Sequence, residues 1–222
     1  YEDMLENRIY LDDYIITIDD LDSTVLDDGI SIKKLKNGNT MFKVHIADPL
    51  GMYSYNSSII NDAKLRTTTI YDINPPSQML PSILSSNKLS LLKNKKRLAK
   101  SFCFEFNKEY GIVDFKVLNT VISVSNRHTY NEINELYKKG GTTREETEML
   151  ELYDEVLKFL KNMYKNVKIY EELKRENIIG NRQGTSSFAE SLISYLMMIT
   201  GYKTAEMFHN LGYPFAYRCH II

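Results

Sequence analysis

The periodicity of the apolar residues changes once along the chain, near Arg127. Before that point, segments rich in β-branched and aromatic side chains predict strands, at residues 14–18, 29–35, 40–47, 100–106 and 112–124. The dipeptide Asn37-Gly38 is typical of a tight hairpin turn between two of these strands. After Arg127, apolar residues recur at helical intervals. Strands followed by helices predict an α+β fold rather than a doubly wound parallel sheet.

Three helices are predicted in the second half, because three residue pairs have the spacing of a capping box. The pairs are Thr129 with Glu132, Thr143 with Glu146, and Ser187 with Glu190. The last helix should begin near Phe188 and end near Leu211, since Gly212 and Pro214 follow. We therefore expect a single domain that is β-rich over residues 1–127, helical over 128–212, and closed by a terminal strand over 214–222.

Cysteine usage and hydropathy bear on the compartment of the protein. Cys103 and Cys219 lie far apart, there is no CxxC pair or secretory leader, and no apolar run has the length of a bilayer span. These features predict the cytoplasm or another reducing intracellular compartment, with no membrane partner. The chain begins at Tyr1 rather than at a methionine. We expect it to be a fragment of a longer protein.

Charge is balanced over the whole chain and uneven along it. The sequence has 28 Lys and Arg against 29 Asp and Glu, so no global positive field attracts phosphates. Any contact with nucleic acid must therefore be locally basic. One short stretch meets this condition, with Lys88, Lys93, Lys95, Lys96, Arg97 and Lys100. The stretch is also compatible with an ordinary solvated loop.

The most acidic segment connects two predicted strands. Five carboxylates lie within the ten residues 19–28, and their mutual repulsion is costly unless solvent or a hard cation offsets it. An EF-hand loop starting at Asp20 is excluded, because its sixth residue is Val25 and its twelfth is Ser31. An acidic surface turn and a Mg²⁺ or Mn²⁺ site with oxygen ligands both remain open.

This loop resembles the signature of the ribonuclease II family catalytic (RNB) domain. In that signature Thr-Ile-Asp is followed, after a short acidic spacer, by Asp, an apolar residue and Asp-Asp. Asp19, Asp27 and Asp28 match it, and Val25 stands where the family has a further aspartate. The resemblance implies that the three aspartates hold Mg²⁺ and are catalytic.

Further segments resemble the same family in order along the chain, from about residue 13 to 220. They are residues 44–49, 65–71, 79–81, 84–85, 89–91, 97–99, 127, 129–130, 191–193, 197 and 214–220. The resemblance implies RNA-binding roles for Tyr71, Tyr130, Arg97 and Arg127, with tyrosines stacking on or orienting the terminal nucleotides. Ser194 and Tyr195 occupy the positions of a family glutamate pair, one member of which helps to read the ribose.

The resemblance implies an RNB-type α+β domain, represented by its N-terminal two-thirds. The implied activity is Mg²⁺-dependent 3′-to-5′ exonucleolytic hydrolysis of single-stranded RNA to nucleoside monophosphates. The expected partners are single-stranded RNA, the missing C-terminal part of the domain with its catalytic arginine, and flanking RNA-binding domains. The alternative is a catalytically degenerate RNB-fold module that binds RNA or protein, which Val25, Ser194 and Tyr195 favour. A structural metal-binding loop without RNA is a third hypothesis.

Overall fold

The computed structural model describes residues 5, 7–70, 76–109, 111–165 and 187–217. The strands in these ranges are β1 (Ile9–Tyr10), β2 (Ile16–Asp19), β3 (Asp28–Lys34), β4 (Thr40–Ala47), β5 (Lys96–Phe106), β6 (Ile112–Ser123) and β7 (Asn126–Thr129). The helices are α1 (Pro49–Met52), α2 (Ser58–Arg66), α3 (Tyr130–Lys139), α4 (Arg144–Lys165) and α5 (Phe188–Asn210). A π-helical turn occupies Leu84–Lys88. No helix among these residues is both long and apolar enough to cross a bilayer.

The order of elements confirms the α+β prediction. The strands join one sheet in the order β1-β6-β5-β4-β3-β2-β7, and the three long helices follow it in the sequence. The turn between β3 and β4 places Gly38 at φ +84°, a conformation that glycine adopts without steric cost. The short β1, which pairs in parallel with β6, was not predicted.

The predicted capping boxes start the three long helices. The side chains of Thr129 and Ser187 each accept a hydrogen bond from the backbone N–H of the glutamate three residues on, and each glutamate carboxylate accepts one from the backbone N–H of the cap residue. The same reciprocal pair joins Thr143 and Glu146, at 3.1 and 3.3 Å. The predicted terminal strand is wrong over residues 214–217, which have no regular structure after α5 ends. Its remaining residues lie outside the described part of the chain.

The chain divides into two compact units, each assembled from three stretches of sequence. The first contains residues 1–31, 45–103 and 116–127, and its core packs Ile15, Leu26, Leu91, Ala99, Ile122 and Val124. A buried polar chain crosses its strands: His45 lies 3.0 Å from the Ser31 hydroxyl and 2.7 Å from that of Ser101, which lies 2.7 Å from that of Thr120. These contacts satisfy polar groups that would otherwise be costly to bury.

The second unit contains residues 32–44, 104–115 and 128–222. Phe42 stacks on Phe104 with ring centroids 4.4 Å apart, and Phe106 meets Phe159 of α4 edge-on at 5.6 Å. Helix α5 packs against α3 and α4. Each unit mixes strand and helix residues, so the predicted organisation as one domain with a change at residue 127 stays a prediction.

Candidate active site

Strand pairing sets the positions of the two ends of the acidic loop. Asp19 is the last residue of β2 and Asp28 is the first residue of β3. The two strands are antiparallel, with Ile16 opposite Ile30, so the end of one meets the start of the other. The apolar run of β2 is buried on the core side, and both aspartates are half-buried at the sheet edge. Asp19 and Asp28, at opposite ends of the loop in sequence, are thereby placed at neighbouring strand ends.

Leu26 fixes the second half of the acidic loop, residues 26–28. Its side chain is 1% exposed and belongs to the core of the first unit. Its backbone N–H donates to the Ser90 hydroxyl at 3.1 Å, and its carbonyl accepts from the Leu91 N–H at 2.9 Å. The next residue is held too, since the Asp27 carbonyl accepts from the Ala47 N–H at 2.8 Å. The positions of Asp27 and Asp28 are therefore set by the core.

The electrostatics of the three predicted catalytic aspartates differ. Burial, and then the negative charge of Asp28, raises the pKa of Asp19 from 3.8 to about 7. Burial, and then the charge of Asp27, raises the pKa of Asp28 from 3.8 to about 6. Asp27 is exposed by surface area, although the protein around it still desolvates the carboxyl and raises its pKa. The negative charges of Asp28 and Asp27 both raise the pKa of Asp19, so negative charge is concentrated where the two strands meet.

The carboxylate oxygens of the loop suit a hard cation that binds only one or two carboxylates of the protein. Asp19 Oδ2 is buried and meets no donor at hydrogen-bonding geometry, although the nearby Thr17 hydroxyl lowers the pKa of this carboxyl; the acids offer only oxygen. Among the described residues, no group of three or more His, Cys, Asp or Glu side chains is arranged to hold a metal ion. The expected three-aspartate cage is thus not preformed. Mg²⁺ commonly uses one or two carboxylates together with substrate phosphate, and Asp19 with Asp28 suits that mode.

The two predicted RNA-binding arginines donate to backbone carbonyls. Arg127 of β7 donates through Nη2 to the carbonyls of Asp20, Leu21 and Ser23 in the acidic loop. Arg97 donates to the carbonyls of Ser90 (2.8 Å), Lys96 (2.9 Å) and Asn87 (2.9 Å). Both guanidinium groups therefore support loops next to the acids. The sequence carried no local signal for these contacts, and their RNA-binding roles stay predictions.

The remaining predicted RNA contacts are the two tyrosines and the basic stretch. Tyr71 lies outside the described residues. Tyr130 is half-buried at the first position of α3, in the second unit. In the basic stretch, Lys95 and Lys96 are exposed, and Lys93 donates to the Asn126 side chain at 2.7 Å. The cluster is solvent-accessible, as phosphate contact requires.

The residues at the three positions that depart from the family pattern differ in burial. Val25 is half-buried, one residue before the anchor Leu26. Tyr195 is 1% exposed in α5, and Ser194 beside it is half-buried. A tyrosine at that degree of burial packs in the core.

Comparison with known proteins places the chain in a family. The sequence matches the RNB domain over residues 8–221. The chain belongs to the RNB family. Ribonuclease R from Thermotoga maritima is 28% identical over 242 residues, which cover 99% of this chain and 33% of that protein. This RNB chain thus spans about a third of the length of that relative.

Solved structures agree on the RNB fold. Mycoplasma genitalium RNase R, in complex with ribose-methylated single-stranded RNA, matches with a TM-score of 0.80 at 22% identity, over 97% of this chain and 36% of that one. Yeast Ssd1, described as a pseudonuclease, matches with a TM-score of 0.76 at 17% identity, over 96% of this chain and 27% of that one. At these identities the likeness concerns the fold, which both an RNase R and a pseudonuclease adopt.

Proposed function

We propose that this RNB chain forms part of a 3′-to-5′ exoribonuclease that hydrolyses single-stranded RNA to nucleoside monophosphates with Mg²⁺. The observation that carries the proposal is the buried Asp19 oxygen, which has no hydrogen-bond partner and lies beside a second desolvated acid, Asp28. A buried acceptor without a partner costs about 1–3 kcal/mol. That cost is accounted for if the oxygen is a ligand when the enzyme is loaded.

Asp19 and Asp28, with Asp27 at the exposed side, would hold the metal. When bound, Mg²⁺ would supply polarisation of the scissile phosphate and of an attacking water. The aspartates contribute the negative charge that retains a cation, and all three would ionise together at neutral pH once that charge is offset. Leu26, bound by the Ser90 hydroxyl and the Leu91 backbone N–H, holds Asp27 and Asp28 in place through the contacts described above.

The substrate is proposed from the aromatic and basic residues. Tyr71 and Tyr130 would stack on terminal nucleotides, and the lysines from 93 to 100 would lie along the phosphates. A RNase R of the same fold has been solved with single-stranded RNA. The proposal also includes an arginine and further RNA-binding domains contributed by other segments of the protein, and a reducing intracellular compartment.

Nucleotide release from 5′-labelled single-stranded RNA by the complete natural protein tests the proposal. We expect Mg²⁺-dependent shortening from the 3′ end that chelation stops. Asp27→Asn keeps the side-chain size and removes a charge, so it should abolish turnover while leaving RNA binding nearly intact. Asp20→Asn, at an exposed position of the same loop, is the matched control and should retain activity.

The second candidate is a degenerate RNB module that binds RNA or protein without cleaving it. Val25 and the core position of Tyr195 favour it, and a pseudonuclease shares the fold. Val25→Asp separates the two candidates, with Val25→Asn as a neutral control of the same size. The nuclease proposal expects faster release with the aspartate than with the asparagine. RNA binding without Mg²⁺-dependent release, unaffected by Asp27→Asn, would establish the degenerate module instead.

A further inference from the structure

A single nitrogen of the Arg127 guanidinium binds the first half of the acidic loop, residues 20–23. Arg127 Nη2 lies 3.2 Å from the Asp20 carbonyl oxygen, 3.3 Å from that of Leu21 and 3.0 Å from that of Ser23. Arg127 belongs to β7, which neighbours β2 in the sheet. More than 100 residues separate it from the loop in sequence. The contact is therefore set by strand order rather than by local sequence.

Residues 20–23 have few other stabilising interactions in the described structure. Leu21 is 83% exposed, and the side chains of Asp20 and Asp22 are exposed as well. A backbone hydrogen bond from the Ser23 N–H to the Asp20 carbonyl, 3.1 Å long, closes a turn there. The second half of the loop, residues 26–28, is by contrast anchored in the core by Leu26. The two halves are thus held by different means, one by packing and one by a cation.

The charge of Arg127 matters as well as its hydrogen bonds. Five carboxylates lie within residues 19–28 and repel one another. A guanidinium held at their backbone offsets part of that repulsion, and its planar array of donors suits several carbonyls at once. All three contacts are made by one nitrogen, Nη2, and all go to backbone carbonyls of the acidic loop, which is the geometry of a support for the acids.

We propose that Arg127 is a positioning residue of the acidic loop rather than a ligand of the RNA backbone. It fixes residues 20–23, and through them it sets where Asp19 presents its carboxylate to a divalent cation. This inference rests on the proposed function, because it concerns the metal site of the same reaction. It replaces the RNA-binding role that the family resemblance implied for this arginine.

Two variants of Arg127 and one control separate the roles. Arg127→Met removes charge and donors at similar length, and Arg127→Lys keeps the charge and one donating nitrogen. Lys95→Ala removes an exposed charge from the basic stretch. In the complete natural protein, Mn²⁺ binding is measured by electron paramagnetic resonance without RNA. RNA binding is measured in EDTA at several salt concentrations, and amide exchange of residues 20–25 is followed by mass spectrometry.

Arg127→Met should weaken Mn²⁺ binding about tenfold, as loss of a group that orients metal ligands does. It should speed amide exchange in the loop and leave the salt dependence of RNA binding unchanged. Arg127→Lys should restore most of the Mn²⁺ affinity, and Lys95→Ala should change only the salt dependence.

A different pattern would overturn the inference. If Arg127→Met lowers the salt slope of RNA binding by about 0.7 and leaves Mn²⁺ affinity and loop exchange unchanged, Arg127 is a phosphate ligand. The proposed function is decided separately, by nucleotide release from the wild-type protein. If the wild type releases no nucleotide, the nuclease proposal fails. Loop exchange and Mn²⁺ affinity in the arginine variants still decide the role of Arg127.

Discussion

The residue that best distinguishes this loop from an ordinary acidic turn is Asp19. An aspartate on a surface turn is solvated and has an ordinary pKa, whereas Asp19 is half-buried, has a buried oxygen without a partner, and has a pKa of about 7. Such a pKa is characteristic of functional sites, although structural clusters produce it too. The sequence pointed to the three acids as a group. It did not distinguish Asp27, which is exposed at the surface, from the half-buried Asp19 and Asp28, because that difference depends on which strand end each residue occupies.

The raised pKa of Asp19 predicts a pH-dependent stability. Because the folded protein binds this proton more tightly than the unfolded chain does, the stabilisation is fully present below pH 3.8 and is lost as pH rises through about 7. Asp19→Asn mimics the protonated acid. In EDTA, the variant should therefore melt at a higher temperature than wild type at pH 8 and at nearly the same temperature at pH 4. Calorimetry across this range checks it, with Asp22→Asn as an exposed control. An equal shift at both pH values would contradict it.

At the scale of elements, local signals predicted most of the fold. Gly38 marked the first hairpin, and the capping pairs at Thr129, Thr143 and Ser187 marked the starts of the three long helices, because each is a short-range interaction visible in the sequence. The two-residue β1 was missed, since only its pairing with β6 defines it. Residues 214–217 were predicted as a strand from their composition, but a strand needs a partner and none pairs with them in the described structure.

The acidic loop behaves as an element with a single core anchor, and this can be tested by stability. Leu26→Ala removes a side chain that is 1% exposed and should lower the free energy of unfolding by about 2–5 kcal/mol. Leu21→Ala makes the same chemical change on the same loop at a position that is 83% exposed, and should change it by less than about 0.5 kcal/mol. Urea denaturation of both variants gives the comparison. Similar losses in the two would show that the loop is not anchored as described.

On the scale of the whole chain, the formal net charge of −1 requires any affinity for RNA to arise locally. The basic stretch lies in the first compact unit, which also contains the three aspartates. Lys95 and Lys96 are exposed, and Lys100 Nζ lies 3.9 Å from a carboxylate oxygen of Asp48. These lysines therefore differ in their surroundings, because Lys100 is ion-paired whereas the Lys96 ammonium lies 5.6 Å from the centroid of the exposed Tyr10 ring. The paired Lys100 should contribute less than the exposed Lys96.

The salt dependence of RNA affinity measures the contribution of each lysine. Each phosphate contact to single-stranded nucleic acid contributes about 0.7 to the slope of log affinity against log salt, because counterions are released on binding. Lys96→Ala should therefore reduce the slope for single-stranded RNA by about that amount and weaken binding most at low salt. Lys161→Ala, an exposed lysine on α4 in the second unit, is the matched control and should leave the slope unchanged. Fluorescence anisotropy in EDTA at several salt concentrations provides the slopes. Identical slopes for wild type and Lys96→Ala would mean that RNA, if it binds, does not run along this stretch.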